Sequence, residues 1–169
     1  MICPTCGKEV PESSIFCAYC GNRLIGTISK PEDLVRNILI RRIEAIRNRD
    51  TKAIKEIVCN EKYSRFDDWG PPFDLWGPEY LKNEANALKT IQGFNYETGA
   101  WKIDIFGDSA VAAFVIMYRG QIKDLSFNVK SRITAILIKQ NGNWKVVHEH
   151  WSRFPESQML NSKQQPILL

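Results

Sequence analysis

Four cysteines within the first twenty residues constrain the fold of this chain more than any other feature. Cys3 and Cys6 form one C-x-x-C-G unit, Cys17 and Cys20 form a second, and ten residues separate the two units. Two residues between thiols allow both sulfurs of a tight turn to face one ion, and two such turns close a tetrahedral four-thiolate site. We therefore predict a structural zinc site at these four cysteines, with iron as the alternative metal.

The predicted metal site is structural rather than catalytic, because four thiolates leave no coordination position for water. About twenty residues cannot bury a core of their own, so metal binding is expected to supply the free energy of folding. Gly7 and Gly21 follow the second cysteine of each unit and permit backbone N–H groups to point back at the thiolates. Residues 1–24 resemble the short zinc ribbons found at the N-terminus of many archaeal and bacterial proteins.

The role of such a ribbon is open between a folded cap or tether and a docking module. Ile15, Phe16 and Tyr19 could contact a protein if they are exposed, whereas the only basic residues of the ribbon are Lys8 and Arg23. We therefore expect a protein partner in preference to a nucleic acid.

The rest of the chain predicts an α+β domain of helices followed by strands. Residues 25–30 read as a linker, 31–154 as the domain and 155–169 as a C-terminal tail. Ser29 and Glu32 predict a capping box before a first helix with an apolar stripe from Val35 to Ile46. Asp50 predicts the N-cap of a short second helix, and a third is expected from Pro78 to about Ile91.

Four strands are expected after Phe94, at roughly 94–106, 109–119, 125–139 and 143–152, in an antiparallel meander. Alternation along 109–119 leaves apolar residues on both faces, because Ala110, Phe114 and Ile116 oppose Val111, Val115 and Met117. Helices can cover one face only, and a second copy of the chain is the most economical cover for the other. We therefore predict a homodimer packed sheet to sheet.

The net charge and the absence of evident targeting signals bear on the compartment and on possible anionic partners. The formal net charge is +4, and most of the excess lies in residues 31–55, where a basic helix could favour an anionic partner. No secretory signal or transmembrane run is evident, and clustered thiols suit a reducing compartment. We expect a cytoplasmic protein that does not contact membranes.

Several segments resemble a SnoaL-like domain of the nuclear-transport-factor-2-like superfamily. They are the helix–turn–helix opening at 47–54, Gly77-Pro-Glu-Tyr-Leu, Gly107-Asp-Ser-Ala-Val, Arg132-Ile-Thr134, and the closing run from Gly142 to Ser152. The terminal pattern Trp-x-x-x-His-x-His-x-Ser is also similar to the kinase II association domain of that superfamily. The resemblance covers residues 34–154.

The resemblance implies a cone of three helices wrapped by a curved antiparallel sheet, with an open mouth and frequent dimerisation. The superfamily contains isomerases, cyclases and dehydratases beside non-catalytic binding and assembly modules, so the fold does not choose the function. In its enzymes a pocket carboxylate moves a proton next to a carbonyl.

Asp67, Asp68 and His148 are the candidates for such acid–base chemistry in this chain. An apolar setting beside Trp69 would raise a carboxylate's pKa and suit it to proton transfer, whereas an exposed turn pair would not. His148 and His150 share a strand face and could form a metal-binding or acid–base pair, or could simply hydrogen-bond within the sheet or at the dimer face. The full set of pocket candidates is Tyr63, Trp69, Trp76, Tyr80, Tyr118, Arg132, His148 and His150.

We expect binding rather than catalysis: a ribbon that docks a protein, and a cone that holds a small ligand or forms an assembly surface. One alternative is a proton-transfer isomerase, cyclase or dehydratase acting on a small carbonyl compound. The other is a factor associated with nucleic acid or the ribosome.

Overall fold

The computed structural model describes residues 6–11, 14, 16–21, 30–68 and 75–154. In these ranges the elements are α1 (Pro31–Arg47), α2 (Thr51–Ile57), β1 (Ser64–Phe66), β2 (Leu75–Trp76), α3 (Tyr80–Leu88), β3 (Ile91–Phe106), β4 (Ser109–Ile122), β5 (Leu125–Gln140) and β6 (Asn143–Arg153). The predicted order of helices followed by a meander is confirmed, with two short strands between α2 and α3. No helix within the described ranges is both long enough and apolar enough to cross a membrane.

The helix ends follow local sequence signals, with one correction. Pro31 occupies the first turn of α1, but the N-cap is Lys30, whose backbone N–H donates to the Asp33 carboxylate at 3.2 Å. The predicted capping box through Glu32 is therefore wrong by one residue, and Ser29 lies outside the described residues. Asp50 caps α2 as predicted and accepts a hydrogen bond from the backbone N–H of Ala53 at 2.9 Å.

The sheet is mixed, whereas the sequence predicts an antiparallel one. The strand order is β2-β1-β6-β5-β4-β3, and the four long strands form the predicted antiparallel meander. β1 lies parallel to β6, with Ser64 opposite His148 and Phe66 opposite His150. The sheet is mixed because the chain that leaves α2 runs along the free edge of β6 and pairs with it over only three residues.

Bulges curve the sheet around the helices. The register shifts between Gln92 and Asn95 and between Gly99 and Lys102 on β3, and again at Ile136 and Leu137 opposite β6. The main core lies between the concave face and the three helices, and there Trp101 stacks on Phe114 with ring centroids 3.9 Å apart. The curvature leaves room for a cavity between α3 and the ends of β3, β4 and β6.

The convex face of the sheet is apolar along its centre, as the alternation in β4 predicts. Val111, Met117 and Ile136 expose 36%, 45% and 39% of their surface, while Ala110, Ala112 and Ile116 on the other face are fully buried. Within the described ranges the chain therefore covers one face of its sheet and leaves an apolar stripe on the other.

Candidate functional site

A cavity of about 130 Å³ opens between α3 and the sheet. Its wall is aromatic and aliphatic, and its polar groups are gathered at one side. The wall is formed by Phe94, Tyr118, Phe127, Trp151, Ile46, Ala87, Leu88, Ile91 and Ile122, and the polar side by Arg65, Asp67, Asp68, Tyr80 and Glu84. An apolar pocket with a few converging polar groups is the usual form of a small-molecule site.

Asp67 follows β1 and is held as a carboxylate. Its Oδ1 accepts a hydrogen bond from Arg65 at 3.0 Å, and its Oδ2 accepts one from the Tyr80 hydroxyl at 2.6 Å. Burial acts to raise the pKa of Asp67, but the Arg65 charge and these hydrogen bonds outweigh it and lower the pKa. Asp67 is therefore the charged member of the pair.

Asp68 is the second carboxyl of the pair, and its surroundings are different. Its Oδ2 accepts hydrogen bonds from the Tyr118 hydroxyl at 2.7 Å and the Ser131 hydroxyl at 2.5 Å. Its Oδ1 is buried and has no hydrogen-bond partner among the described residues. Burial raises the pKa of Asp68, and the neighbouring Asp67 charge adds to that effect against the hydrogen bonds and Arg65. Two adjacent carboxyls thus have pKa values shifted in opposite directions.

A buried ion network supports the polar side of the cavity. Arg42 on α1 donates to both oxygens of Glu84 on α3, at 2.7 and 2.9 Å, and its Nε lies 3.4 Å from Glu149 on β6. Arg65 lies 3.7 Å from Glu84 and 3.9 Å from Glu149. Tyr63 donates to Glu149 at 2.5 Å. Ionic contacts therefore join α1, α3, β1 and β6 in a part of the core that would otherwise be apolar.

Arg65 connects this network to the cavity. Its guanidinium carbon lies 4.2 Å from the ring centroid of Trp151 and 5.0 Å from that of Tyr80, and it pairs with Asp67. The parallel pairing of β1 with β6 points Arg65 to the concave face, because its neighbours Ser64 and Phe66 lie on the convex one. Arg65 thereby fixes Asp67 and fills the space between the two aromatic rings.

The cysteine site is described in part. The sulfurs of Cys6, Cys17 and Cys20 all lie within 4.8 Å of one another, and those of Cys6 and Cys17 are 3.6 Å apart. A tetrahedral zinc with bonds of about 2.3 Å places its sulfurs about 3.8 Å apart, so three of the four predicted ligands fit. Cys3 lies outside the described residues. Gly7 and Gly21 have φ values of +69° and +66°, as the turns after each pair require.

Backbone N–H groups stabilise the thiolate form of the cysteines. The N–H of Tyr19 points at the Cys17 sulfur at 3.4 Å. Desolvation acts to raise the pKa of the Cys17 thiol, but hydrogen bonds from the backbone of Tyr19 and Cys20 outweigh it and lower the pKa. The site therefore favours the deprotonated form that binds metal.

Comparisons with known families agree with this geometry. Residues 2–24 match the zinc-ribbon domain and residues 35–157 match the SnoaL-like domain. The chain belongs to the SnoaL-like family. Among curated proteins it has no match.

Solved structures share the fold of the SnoaL-like domain at low sequence identity. An NTF2-like protein from Cytophaga hutchinsonii superposes with a TM-score of 0.63 at 16% identity, over 74% of this chain and 99% of that one. A proposed ketosteroid isomerase from Shewanella frigidimarina gives 0.59 at 22% identity, over 69% and 92%. A proposed dehydratase from Streptomyces avermitilis gives 0.64 at 13% identity, over 73% and 95%. These likenesses establish the NTF2-like fold.

The SnoaL-like domain brings four of the predicted site residues to the cavity, namely Asp67, Asp68, Tyr80 and Tyr118. Tyr63 lies behind the cavity, fully buried in the ion network. Trp76 packs against Tyr80, with ring centroids 6.4 Å apart and the planes at 57°. Trp69 lies outside the described residues.

Three other candidates lie on the convex face of the sheet, away from the cavity. The His148 ring is hydrogen-bonded to Ser64 at 2.8 Å, and Phe66 packs on both His148 and His150. Desolvation and the neighbouring His150 lower the pKa of His148. Arg132 donates to Ser152 at 3.4 Å. The geometry therefore does not bring His148 to Asp67 or Asp68.

Sequence reasoning missed the ion network and most of the aromatic wall. The sequence does indicate that Arg42 and Glu84 are buried, because each occupies the apolar stripe of its helix. Arg42 follows Leu39 by three residues, and Glu84 precedes Leu88 by four. A charged residue in such a stripe indicates a buried ion pair. Because Arg42 is fully buried, α1 also offers fewer exposed cations to an anionic partner than its sequence suggests.

Proposed function

We propose that this protein is a non-catalytic binding module in which the cone of the SnoaL-like domain holds a small ligand and the zinc ribbon docks a protein partner. The observation that carries the ligand part is the cavity beside the unpartnered Oδ1 of Asp68. Buried polar atoms without partners are rare in folded proteins, and one that belongs to a residue lining an apolar cavity is suited to a ligand's polar group.

The volume of the cavity limits the ligand. An apolar cavity of about 150 Å³ accepts a molecule the size of benzene. The cavity here measures about 130 Å³, so a single ring or a short chain fills it. Its aromatic wall of Phe94, Tyr118 and Phe127 suits a flat apolar body.

Filling the cavity mouth tests the ligand proposal. Ala87 is an exposed residue of α3 that lines the cavity, so Ala87→Trp is expected to occupy the ligand's volume without disturbing the core. Mass spectrometry of natively purified protein should find a small molecule bound to the wild type and at least about tenfold less on A87W. Asn86→Trp, on the neighbouring exposed position outside the cavity, should keep it. Equal retention by A87W and N86W, or no bound molecule on the wild type, contradicts the proposal.

The second candidate is a proton-transfer enzyme acting on a small carbonyl compound. It is supported by the opposite pKa shifts of Asp67 and Asp68, which is how an acid and a base are set apart in one site. In this mechanism Asp67 and Asp68 supply both the acid and the base, because His148 lies on the convex face of the sheet. Incubating the recovered ligand with the protein in D2O separates the candidates: deuterium entering at carbon, and lost with Asp68→Asn, favours the enzyme.

The docking role of the ribbon rests on its exposed aromatic residues. Phe16 and Tyr19 expose 59% and 62% of their surface, and the Lys8 ammonium lies 4.5 Å from the Tyr19 ring centroid. Exposed aromatic side chains are enriched where proteins contact each other, whereas nucleic-acid binding needs a denser basic surface. A metal site that needs reduced thiolates is consistent with the cytoplasm.

Dimerisation through the convex face is the second part of the proposal. The apolar stripe of Val111, Met117 and Ile136 runs across the two central strands β4 and β5, where a second sheet can pack. A polar rim that includes His150 and Arg132 flanks this stripe on β5 and β6. The chain alone supplies no other cover for this face among its described residues.

A lysine in the stripe should break the dimer. Ile136→Lys places a charge at the centre of the proposed contact, opposite Val111 and His148, and leaving it buried and unpaired is costly. Light scattering should give twice the monomer mass of 19.4 kDa for the wild type and the monomer mass for the variant. Leu125→Lys, at an exposed hairpin end, is the matched control and should remain dimeric. A monomeric wild type at micromolar concentration overturns the proposal.

A further inference from the structure

The polar side of the cavity holds more acidic groups than basic ones. Its described cluster has four carboxyl groups and two guanidinium groups, all nearly or fully buried. Arg42 contacts Glu84 and Glu149, and Arg65 contacts Asp67 as well as the two glutamates. The fourth carboxyl, Asp68, accepts hydrogen bonds from two hydroxyls and lies against the carboxyl of Asp67. Buried charges are normally paired, and Asp68 is the one carboxyl of this described cluster that has no ion pair with either arginine.

Asp68 sets the place where a further cation would bind. Its Oδ2 is already occupied by two hydroxyl donors, so a further donor has only Oδ1 to bind. The same cavity is lined by Phe94, Tyr118 and Phe127, and the rings of Phe94 and Phe127 both pack against Tyr118. Aromatic faces attract cations, most strongly where water is excluded. Carboxylate and aromatic rings together form a receptor for a positively charged group.

We propose that the cavity binds a small organic cation, an amine attached to a single ring or a short apolar chain, whose ammonium group donates a hydrogen bond to Oδ1 of Asp68. This inference rests on the proposed ligand-binding function and specifies the chemistry of the ligand. An anionic ligand meets a cluster that is already net negative. A neutral ligand supplies a hydrogen bond but leaves the charge of the cluster unbalanced.

Binding of a cation to Asp68 also sets a pH dependence. Burial raises the pKa of Asp68, so protons compete with the ammonium group and affinity should rise as the pH increases through the titration of Asp68. The positive charge of Arg65 favours the ionised form of Asp68, and the negative charge of Asp67 opposes it. A cationic ligand would favour the ionised form further. The other charged or titratable groups that face this region are Tyr118 on β4, Tyr80 and Glu84 on α3, Glu149 on β6 and Arg42 on α1.

Three probes of similar size and different charge test the inference on the full chain with its metal bound. Calorimetry with benzylamine, benzyl alcohol and benzoate compares a cation, a neutral molecule and an anion. We expect benzylamine to bind about ten- to a hundredfold more tightly than benzyl alcohol, in the range of a hydrogen bond to a charged group, and benzoate most weakly. The benzylamine affinity should increase as the pH rises through the titration of Asp68, and should level off once Asp68 is fully ionised.

Asp68→Asn keeps the shape of the side chain and removes its charge. D68N should bind benzylamine no better than benzyl alcohol, while Asp124→Asn, the same change in the exposed β4–β5 turn, should preserve the preference. Benzyl alcohol binding as well as benzylamine to the wild type overturns the cation inference and leaves the small-ligand proposal standing. No binding by any of the three probes at millimolar concentration overturns both. If circular dichroism shows that D68N does not fold, the comparison of the three probes on the wild type still tests whether the cavity prefers a cation.

Discussion

Replacing Arg42 with methionine is expected to lower the free energy of unfolding by about 3–5 kcal/mol. Arg42 is fully buried and is the cation that contacts both Glu84 and Glu149. Methionine fills much of its volume, so the loss arises mainly from two buried carboxylates left without this partner. A domain of this size has only about 5–15 kcal/mol of stability in total, so the effect should be visible as a large shift in urea midpoint followed by tryptophan fluorescence.

Two comparisons show whether charge causes this loss. Arg41→Met changes an exposed neighbour on the same helix and should alter stability by no more than about 0.5 kcal/mol. Adding Glu84→Gln to Arg42→Met should recover part of the loss, because one orphaned charge is removed. If R42M is no less stable than R41M, the network does not hold the helices to the sheet.

The pH dependence of the Arg42 variant follows from Glu149. In the wild type, burial would raise the pKa of Glu149, but Arg42 and Arg65 outweigh it and lower the pKa. A lowered pKa in the folded state stabilises the fold above the pKa of the unfolded chain, and this contribution disappears as the pH falls through the folded value. The difference in stability between wild type and R42M should therefore shrink at acid pH.

The order of helices and long strands could be predicted because each element carries a strong local signal. The apolar stripe of α1, the Asp50 cap and the hairpin glycines at 107 and 142 all act over a few residues. β1 could not be predicted as a parallel strand, because its three residues gain their pairing only from the edge of β6. Arg65 reaches the cavity through that long-range pairing, so no local sequence pattern predicts its position there.

A bulge explains why the two histidines lie away from the cavity. Simple alternation from buried Trp144 and Val146 places His148 and His150 on the same inner face. The register shift opposite Ile136 and Leu137 inserts an extra residue at Val147 and reverses the alternation. Glu149 and Trp151 therefore point inward, where they form part of the network and the cavity wall. The histidines do share one face, as predicted, and it is the convex one.

Removing the metal is expected to unfold the ribbon and leave the SnoaL-like domain intact. Metal binding contributes about 10–16 kcal/mol to the folding of small zinc modules, which exceeds anything the ribbon's described core of Val10 and Cys17 can supply. The SnoaL-like domain has its own core between sheet and helices. Chelation should therefore abolish protection of the ribbon's amide protons from exchange while the protection of β4 and β5 persists.

Cys17→Ser provides the matched genetic test, because Cys17 is the buried ligand whose sulfur lies 3.6 Å from that of Cys6. Elemental analysis should find one zinc per wild-type chain and strongly reduced zinc in C17S, with the ribbon unprotected as after chelation. Cys59→Ser alters a buried cysteine of the SnoaL-like domain and should leave the zinc content unchanged. Full zinc in C17S would contradict the four-thiolate site, and iron in the wild type would replace zinc as its metal. Melting of β4 and β5 on chelation would show instead that the ribbon's metal stabilises the whole chain.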